Sequence, residues 1–332
     1  MFVLRPSELF HLTDDRSGGR WQTLARQLKM TARSWLHRTP MQQVARVLAC
    51  PELSPLSRSD PHLLLRPVRS YLWTGLAPRQ RAEAFQSHFG WLRNTLGAAT
   101  IEALYDSGAL PIAELQLREH RLALVLEPGR GLGREGELEV HLQLDGRVLL
   151  RASASVVPAS LLGAPAGALG HAALVIGSLQ GTRGDAEGLK TLAGATHRSR
   201  PKALLLAALQ GLAAGWQLDA LLGVCSRSHV YAGYRTLSRR IAQDYDAVWL
   251  ELGAQHRMEH HWLLPRTPVL RPDHEVPARK RADNRRRCQL RQALFAQSQG
   301  RAQGLLSRRI EARLATCGAD PRLGTRALSP SA

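Results

Sequence analysis

The sequence predicts an α+β protein: a helical N-terminal part packed on a mainly antiparallel sheet, followed by a basic C-terminal helix. Three observations carry this. Apolar residues recur at spacings of three and four before residue 120. They then switch to alternating or short continuous runs between residues 121 and 180. Finally, the last fifth of the chain is polar and strongly basic, with 15 Lys and Arg against 5 Asp and Glu over residues 266–332.

Residues 21–35 and 41–48 have helical spacing, and Pro51, Pro55 and Pro61 mark a loop. Pro78 opens a helix with Phe85, His88, Phe89 and Leu92 on one face. Strands are expected over residues 121–126, 138–144, 148–157 and 172–179, with Asp145-Gly146 as a hairpin turn. They form an antiparallel meander. Helices follow over residues 185–192 and 201–216, with a short strand at 221–225. A long amphipathic helix is expected from Tyr234 through Leu237, Ile241, Tyr245 and Val248 to Leu252, and a last strand at 261–264. The domain reading is 1–60 as a helical extension, 61–120 as a helical subdomain, 121–265 as the α+β core and 266–332 as a basic tail.

Composition limits the function classes. The 332 residues are 44% apolar, enough for a substantial core, and the formal net charge is +18. Cys50, Cys225, Cys288 and Cys317 form no CxxC pair, which leaves no common zinc spacing and no disulfide framework. No metal is expected. Scattered thiols and no signal-peptide-like run in the first 20 residues point to a cytoplasmic protein. The charge-free stretch 152–182 is broken by Pro158, Pro165 and several glycines, so strands explain it better than a membrane span.

Several motifs bear on chemistry. Gly131, Gly133 and Gly136 spell GxGxxG, but a strand follows them, so a hairpin loop is expected rather than a dinucleotide site. His256, Glu259, His260 and His261 lie too near a predicted strand entry to be read as a metal group. His197 to Lys202 precedes the Pro201 helix, where free N–H groups favour an anion. Arg198, Arg200 and Lys202 add charge there. The candidate anion site has Gln180 and Gly181 at the end of one strand wall, and the strand 221–225 as the other. Arg279, Lys280, Arg281, Arg285, Arg286, Arg287 and Arg291 form a run that can meet the phosphates of nucleic acid or anionic lipid, allowing peripheral attachment at the inner membrane. The competing reading is a solvated helix face.

A set of phrases in a fixed order resembles the VirK/YbjX family of bacterial proteins. These are Ile176-Gly-Ser-Leu-Gln-Gly181, Arg200-Pro-Lys202, Leu222-Gly-Val-Cys-Ser226, Asp244-Tyr-Asp-Ala-Val-Trp249 with Glu251-Leu-Gly253, and Lys280-Arg281 before Arg285-Arg-Arg287. Arg66-Pro67 to Tyr71 and Arg81 to His88 extend it, so that it covers roughly residues 66–290. The resemblance implies a link to virulence and antimicrobial-peptide tolerance and transfers no catalytic residues.

The element order is also similar to the acyl-CoA-dependent N-acyltransferase fold. That resemblance implies coenzyme A or acyl-CoA held at the 197–202 turn. Catalysis would then fall to His229 or His197 as base, with Tyr231 or Tyr234 as acid. The alternative is a non-catalytic binding or regulatory protein that uses its basic tail on nucleic acid or an anionic membrane surface.

Overall fold

The computed structural model describes residues 20–163, 169–182, 184–233 and 243–306. The N-terminal part holds α1 (Arg20–Leu36), α2 (Arg38–Leu48), α3 (Ser54–Ser59), a 3-10 segment (Pro61–Val68), α4 (Pro78–Thr95) and α5 (Ala98–Glu102). Pro78 takes the first turn of α4, and the Gln80 side chain accepts from the Ala77 N–H, 2.9 Å away. The expected stripe is buried: Phe85, His88, Phe89 and Leu92 face the sheet, the two Phe rings 4.5 Å apart. His88 Nδ1 accepts the Val156 N–H at 3.1 Å, and burial pulls the His88 pKa down to about 3. A neutral imidazole therefore completes a sheet hydrogen bond.

The sheet contains β1 (Leu110–Leu117), β2 (His120–Pro128), β3 (Leu138–Leu144), β4 (Arg147–Pro158), β5 (Ala172–Gly181), β6 (Ala220–Val224), β7 (His256–Arg257) and β8 (His261–Leu263). Their spatial order is β1-β2-β3-β4-β5-β6-β8-β7, and every pairing is antiparallel except β5 with β6. The expected meander is present as β2 to β5. Asp145 and Gly146 have φ of +53° and +81°, the type I′ pattern that fits the twist of a two-residue hairpin.

Two expectations need correction. The stretch assigned to a helical subdomain ends in a strand, β1, whose Pro111 is tolerated because β1 lies at the sheet edge. The long helix expected from 234 to 252 does not run unbroken. A helix α8 spans only Tyr245–Glu251, because the Asp244 side chain accepts from the N–H groups of Asp246 (3.0 Å) and Ala247 (3.3 Å) and so starts a new helix. Residues 234–242, including Tyr234, lie outside the described residues.

The crossover from β5 to β6 contains α6 (Ala186–Ala195) and α7 (Pro201–Gly215). Asp185 caps α6 by accepting from the Gly188 N–H at 3.0 Å. The C-terminal helix α9 runs from Arg281 to Gly304 and docks along α7 and β1. Gly211 and Gly215 of α7 leave room for the backbone of α9 at Phe295 and Gln299. Leu290, Leu294, Ser298 and Ala302 are buried in the seam. One hydrophobic cluster runs from Val44 in α2 to Leu306.

A Cβ at Gly211 would collide with the Phe295 carbonyl and the Ser298 side chain. Gly211→Ala should therefore destabilise the protein by ~1–3 kcal/mol in thermal unfolding. An unchanged melting temperature would show that α9 is not docked on α7.

Candidate functional site

β5 and β6 pair only from Ala173–Ile176 against Ala220–Gly223. At the next residue the β4–β5 register shifts: Ser153 opposes Ser178, and Ala154 opposes Ile176. Gly177 is therefore the extra residue of a β-bulge. A side chain there is impossible without movement, since a Cβ would collide with the Glu135 carbonyl oxygen. Past the bulge, β5 continues to Gly181 while β6 ends at Val224, so the parallel pair opens into a fork. The Leu179 N–H finds the Tyr245 hydroxyl of α8, 3.4 Å away, in place of a strand partner.

The fork faces a buried polar cluster centred on Glu135, in the glycine-rich loop between β2 and β3. Its carboxylate accepts from Ser178 Oγ and from Gln180 Nε2, the latter at 3.0 and 3.2 Å. Ser178 Oγ also lies 3.0 Å from Ser153 Oγ. His229 Nδ1 accepts from the Tyr231 N–H at 3.4 Å, which leaves the ring proton on Nε2. That Nε2 is buried, finds no hydrogen-bond partner among the described residues and lies 3.7 Å from Glu135 Oε1. The His229 ring stacks on Tyr245, with centroids 5.1 Å apart and planes 11° from parallel.

A short strap from the N-terminal part holds the two loops together. The Leu72 N–H donates to the Arg134 carbonyl (2.7 Å), and the Thr74 N–H donates to the Ser228 carbonyl (2.9 Å). Trp73 bridges to His229. Trp73 also meets the His261 ring edge-on at 4.6 Å. Next to Glu135, two more alternate carboxylates are buried. Glu137 pairs with the buried Arg66 at 2.9 Å. Glu139 accepts from the Leu132 N–H (2.7 Å) and contacts His141 Nε2 (2.9 Å). Burial alone would lower the His141 pKa, but Glu127 and Glu139 on either side push it to about 9. Glu137 and Glu139 are thus compensated ion pairs, whereas among the described residues no Lys or Arg pairs with Glu135.

The chemistry of Glu135 follows. Burial raises its pKa to about 7, although the hydrogen bonds from Ser178 and Gln180 pull the other way. Burial lowers the His229 pKa to about 4 and raises that of Tyr245. Near neutral pH the cluster therefore holds a carboxyl poised to gain or lose a proton, beside a neutral imidazole and an intact phenol. This is the range in which a general base works best.

The sequence-predicted residues divide. His229, Gln180 and Tyr231 belong to or border the cluster. Gly181, Arg200 and Lys202 line a cleft of about 320 Å³, together with Leu150, Leu189 and Pro201. Within it Arg200 is paired with Glu251 at 2.5 Å, and Lys202 donates to Gln243 at 2.7 Å. His197 and Arg198 both take positive φ in the turn that ends α6, and His197 faces Asp283 of α9 at 4.0 Å. The expectation that His197 shares a site with His229 gains no contact. Among the arginines of α9, Arg285 pairs with Asp273 (3.1 Å) and Arg286 with Asp283 (3.5 Å). Arg281, Arg287 and Arg291 donate to backbone carbonyls of Asp273, Asp283 and Val269. Arg279 and Lys280 are exposed. Among the described residues, no group of three His, Cys, Asp or Glu side chains could hold a metal ion.

Sequence reading missed Glu135, Ser178 and Tyr245. The signal for the first was the run Glu135-Gly-Glu137-Leu-Glu139-Val-His141, with an ionisable group at every second position entering an otherwise apolar strand. Period two puts all of them on one face.

A carboxyl whose pKa rises on folding supports stability fully below its unfolded value and loses that contribution as pH rises through the folded value. Relative to Glu135→Gln, wild-type stability should therefore fall between pH 4.5 and about 7, by up to ~3 kcal/mol, and be flat above. His229 works in the opposite sense, its contribution being lost as pH falls from 6.5 through about 4. Paired denaturant titrations of wild type and variant across this range check the first effect; parallel curves would mean that Glu135 is not held in a raised state.

The comparisons with known proteins agree with the phrases that form the site. The model of the family described as "Protein of unknown function (DUF535)" matches residues 19–300. The chain is 27% identical over 252 residues to the uncharacterized protein YbjX of Escherichia coli (strain K12), covering 74% of each. No solved structure matches. The segments that build the fork, the Glu135 cluster and its strap all fall inside the matched span, and the chain belongs to the DUF535 family, of the YbjX type.

Proposed function

We propose that this protein transfers an acyl group from a thioester of the coenzyme A type to an amine or hydroxyl acceptor, with Glu135 as general base. The observation that carries this reading is the fork past Gly177, where the opened β5–β6 pair leads onto a carboxyl with a pKa near neutrality. Past Ile176 the β5 edge no longer pairs with β6, and the amides of an extended pantetheine-like arm would replace the Tyr245 hydroxyl at the Leu179 N–H. The cleft at the start of α7, lined by Gly181, Pro201 and Lys202, lies at the outer end of β5 and suits the anionic end of such a ligand. Arg200 joins that site by exchanging Glu251 for phosphate.

In the reaction, the acceptor nitrogen or oxygen forms a bond to the thioester carbonyl carbon as Glu135 takes its proton. The carbon–sulfur bond then breaks, and the sulfur leaves as a thiolate. Among the described residues, Tyr245 and Tyr231 are the phenols whose rings meet His229, and one of them supplies the proton that the thiolate needs. Ser178 and Gln180 position the carboxylate by donating to it, and they are the groups that keep part of it ionised at neutral pH.

Coenzyme A or an acyl-CoA at 100 times its dissociation constant should stabilise the protein by ~2.7 kcal/mol in a thermal shift assay. Lys202→Ala should reduce that shift. Glu135→Gln should keep it while slowing thiol release by ~10²–10⁴-fold. An unchanged melt with saturating coenzyme A and acyl-CoA would sink the acyltransferase reading.

A further inference from the structure

We propose that α1 is a docking ridge for an anionic membrane surface. Among the described residues, the exposed large apolar side chains concentrate here. Leu24 is 39% exposed, Leu28 57%, Trp35 74% and Leu36 70%, four of the six that the described fold leaves in solvent. They are not scattered. At 100° per residue, Leu24, Leu28 and Trp35 fall within about 40° of one another, and Leu36 lies about 80° further round, past the exposed Ala32 and Ala25. The opposite side of the helix is in use: Met30 packs against Met41, Leu65 and Val68, and Ser34 is buried. The ridge therefore points away from the body and cannot be the face that α1 contributes to the core.

Charge identifies the occupant. Residues 16–51 contain seven Arg and Lys and no Asp or Glu. Lys29 and Arg33 are exposed about 20° and 60° beyond Leu36 on the side away from Leu24, and Arg38 is exposed just past the helix end. An apolar ridge with Trp and Leu, flanked by cations on a helix of 17 residues, is the pattern of a helix that lies in the plane of a lipid interface. Apolar side chains enter the acyl boundary while the cations meet anionic headgroups. A second copy of this chain docked on the same face would set these cations against their like. Nucleic acid would use the cations and leave Leu28 and Trp35 wet. Among the described residues no helix is long and apolar enough to cross a membrane, so the contact is peripheral. The surface is also close to the Glu135 cluster in the chain of contacts. Leu65 and Val68, beneath Met30, flank Arg66, which pairs with Glu137.

The test uses the full chain in co-sedimentation with vesicles of phosphatidylglycerol and phosphatidylcholine, and with vesicles of phosphatidylcholine alone. Wild type should bind the mixed vesicles and bind neutral ones far less, and added salt should release it. The charge-reversed pair Lys29→Glu with Arg33→Glu should weaken binding about tenfold or more. Leu28→Ser with Trp35→Ser should weaken it about tenfold or more as well. Both pairs should keep the wild-type melting temperature, because all four side chains are exposed. Equal binding to neutral vesicles, or no vesicle binding, would overturn the proposal. So would full retention of binding by the Leu28/Trp35 pair. Duplex DNA binding that only the charge pair abolishes, with vesicle binding untouched by either pair, would assign the ridge to nucleic acid instead. A wild-type dimer that the Leu28/Trp35 pair converts to monomer would assign it to a second copy.

Discussion

Burying the Glu135 carboxyl, with no Lys or Arg paired to it among the described residues, is the constraint to which much of the surrounding structure answers. An isolated carboxylate taken out of water must be neutralised, paired or heavily hydrogen-bonded. Here the protein does part of each. Ser178 and Gln180 donate to it, and the remaining cost appears as a pKa near 7. The loop that carries Glu135 also requires glycine at the Gly177 bulge, since the Glu135 carbonyl lies where a Cβ would be. The bulge in turn breaks the β5–β6 ladder and opens the fork. The buried carboxyl and the end of the β5–β6 pairing thus meet at one glycine.

The N-terminal helices do more than cover the sheet. Tyr71 and the strap Leu72 to Thr74 pass between the loop that carries Glu135 and the loop that carries His229. Hydrogen bonds go to Arg134 on one side and Ser228 on the other. Arg66, a few residues before the strap, neutralises Glu137. Removing one partner of a buried pair leaves the other charge uncompensated, so Arg66 and Glu137 are fixed to each other. The registration of the site therefore depends on residues far away in sequence, while the chemistry belongs to the sheet and its loops.

Much of the fold was legible because local pattern and tertiary outcome coincide. The alternation in β2 to β5, the Asp145-Gly146 turn and the Phe85–Leu92 stripe each encode their own partner side. β1 was not legible: Pro111, Glu114 and Gln116 give it no clean run, and it is a strand because it adds to the edge of β2. The helix expected from Tyr234 failed at Asp244 because apolar spacing continues across a residue whose side chain prefers to cap. In the site, His229 and Gln180 could be picked out from strand ends. Glu135 could not be, because burial of a loop carboxylate is decided by strands and loops distant in the chain. For the α9 arginines, counting charges says nothing about which carbonyls they reach. Arg281, Arg287 and Arg291 spend donors on their own backbone surroundings.

The strap has a consequence for how the protein is made. Residues 72–74 leave the ribosome 154 positions before Ser228, the partner of Thr74. At about 5–20 residues per second, that is roughly 8–30 s during which Trp73 and Thr74 lack their partners in the His229 loop. Trp73 is buried in the finished protein. The nascent N-terminal part therefore carries Trp73 without its His229-loop partner until about two-thirds of the chain has been synthesised. Assembly of the Glu135–His229 centre is accordingly a late event, and one that depends on a contact of very long sequence separation.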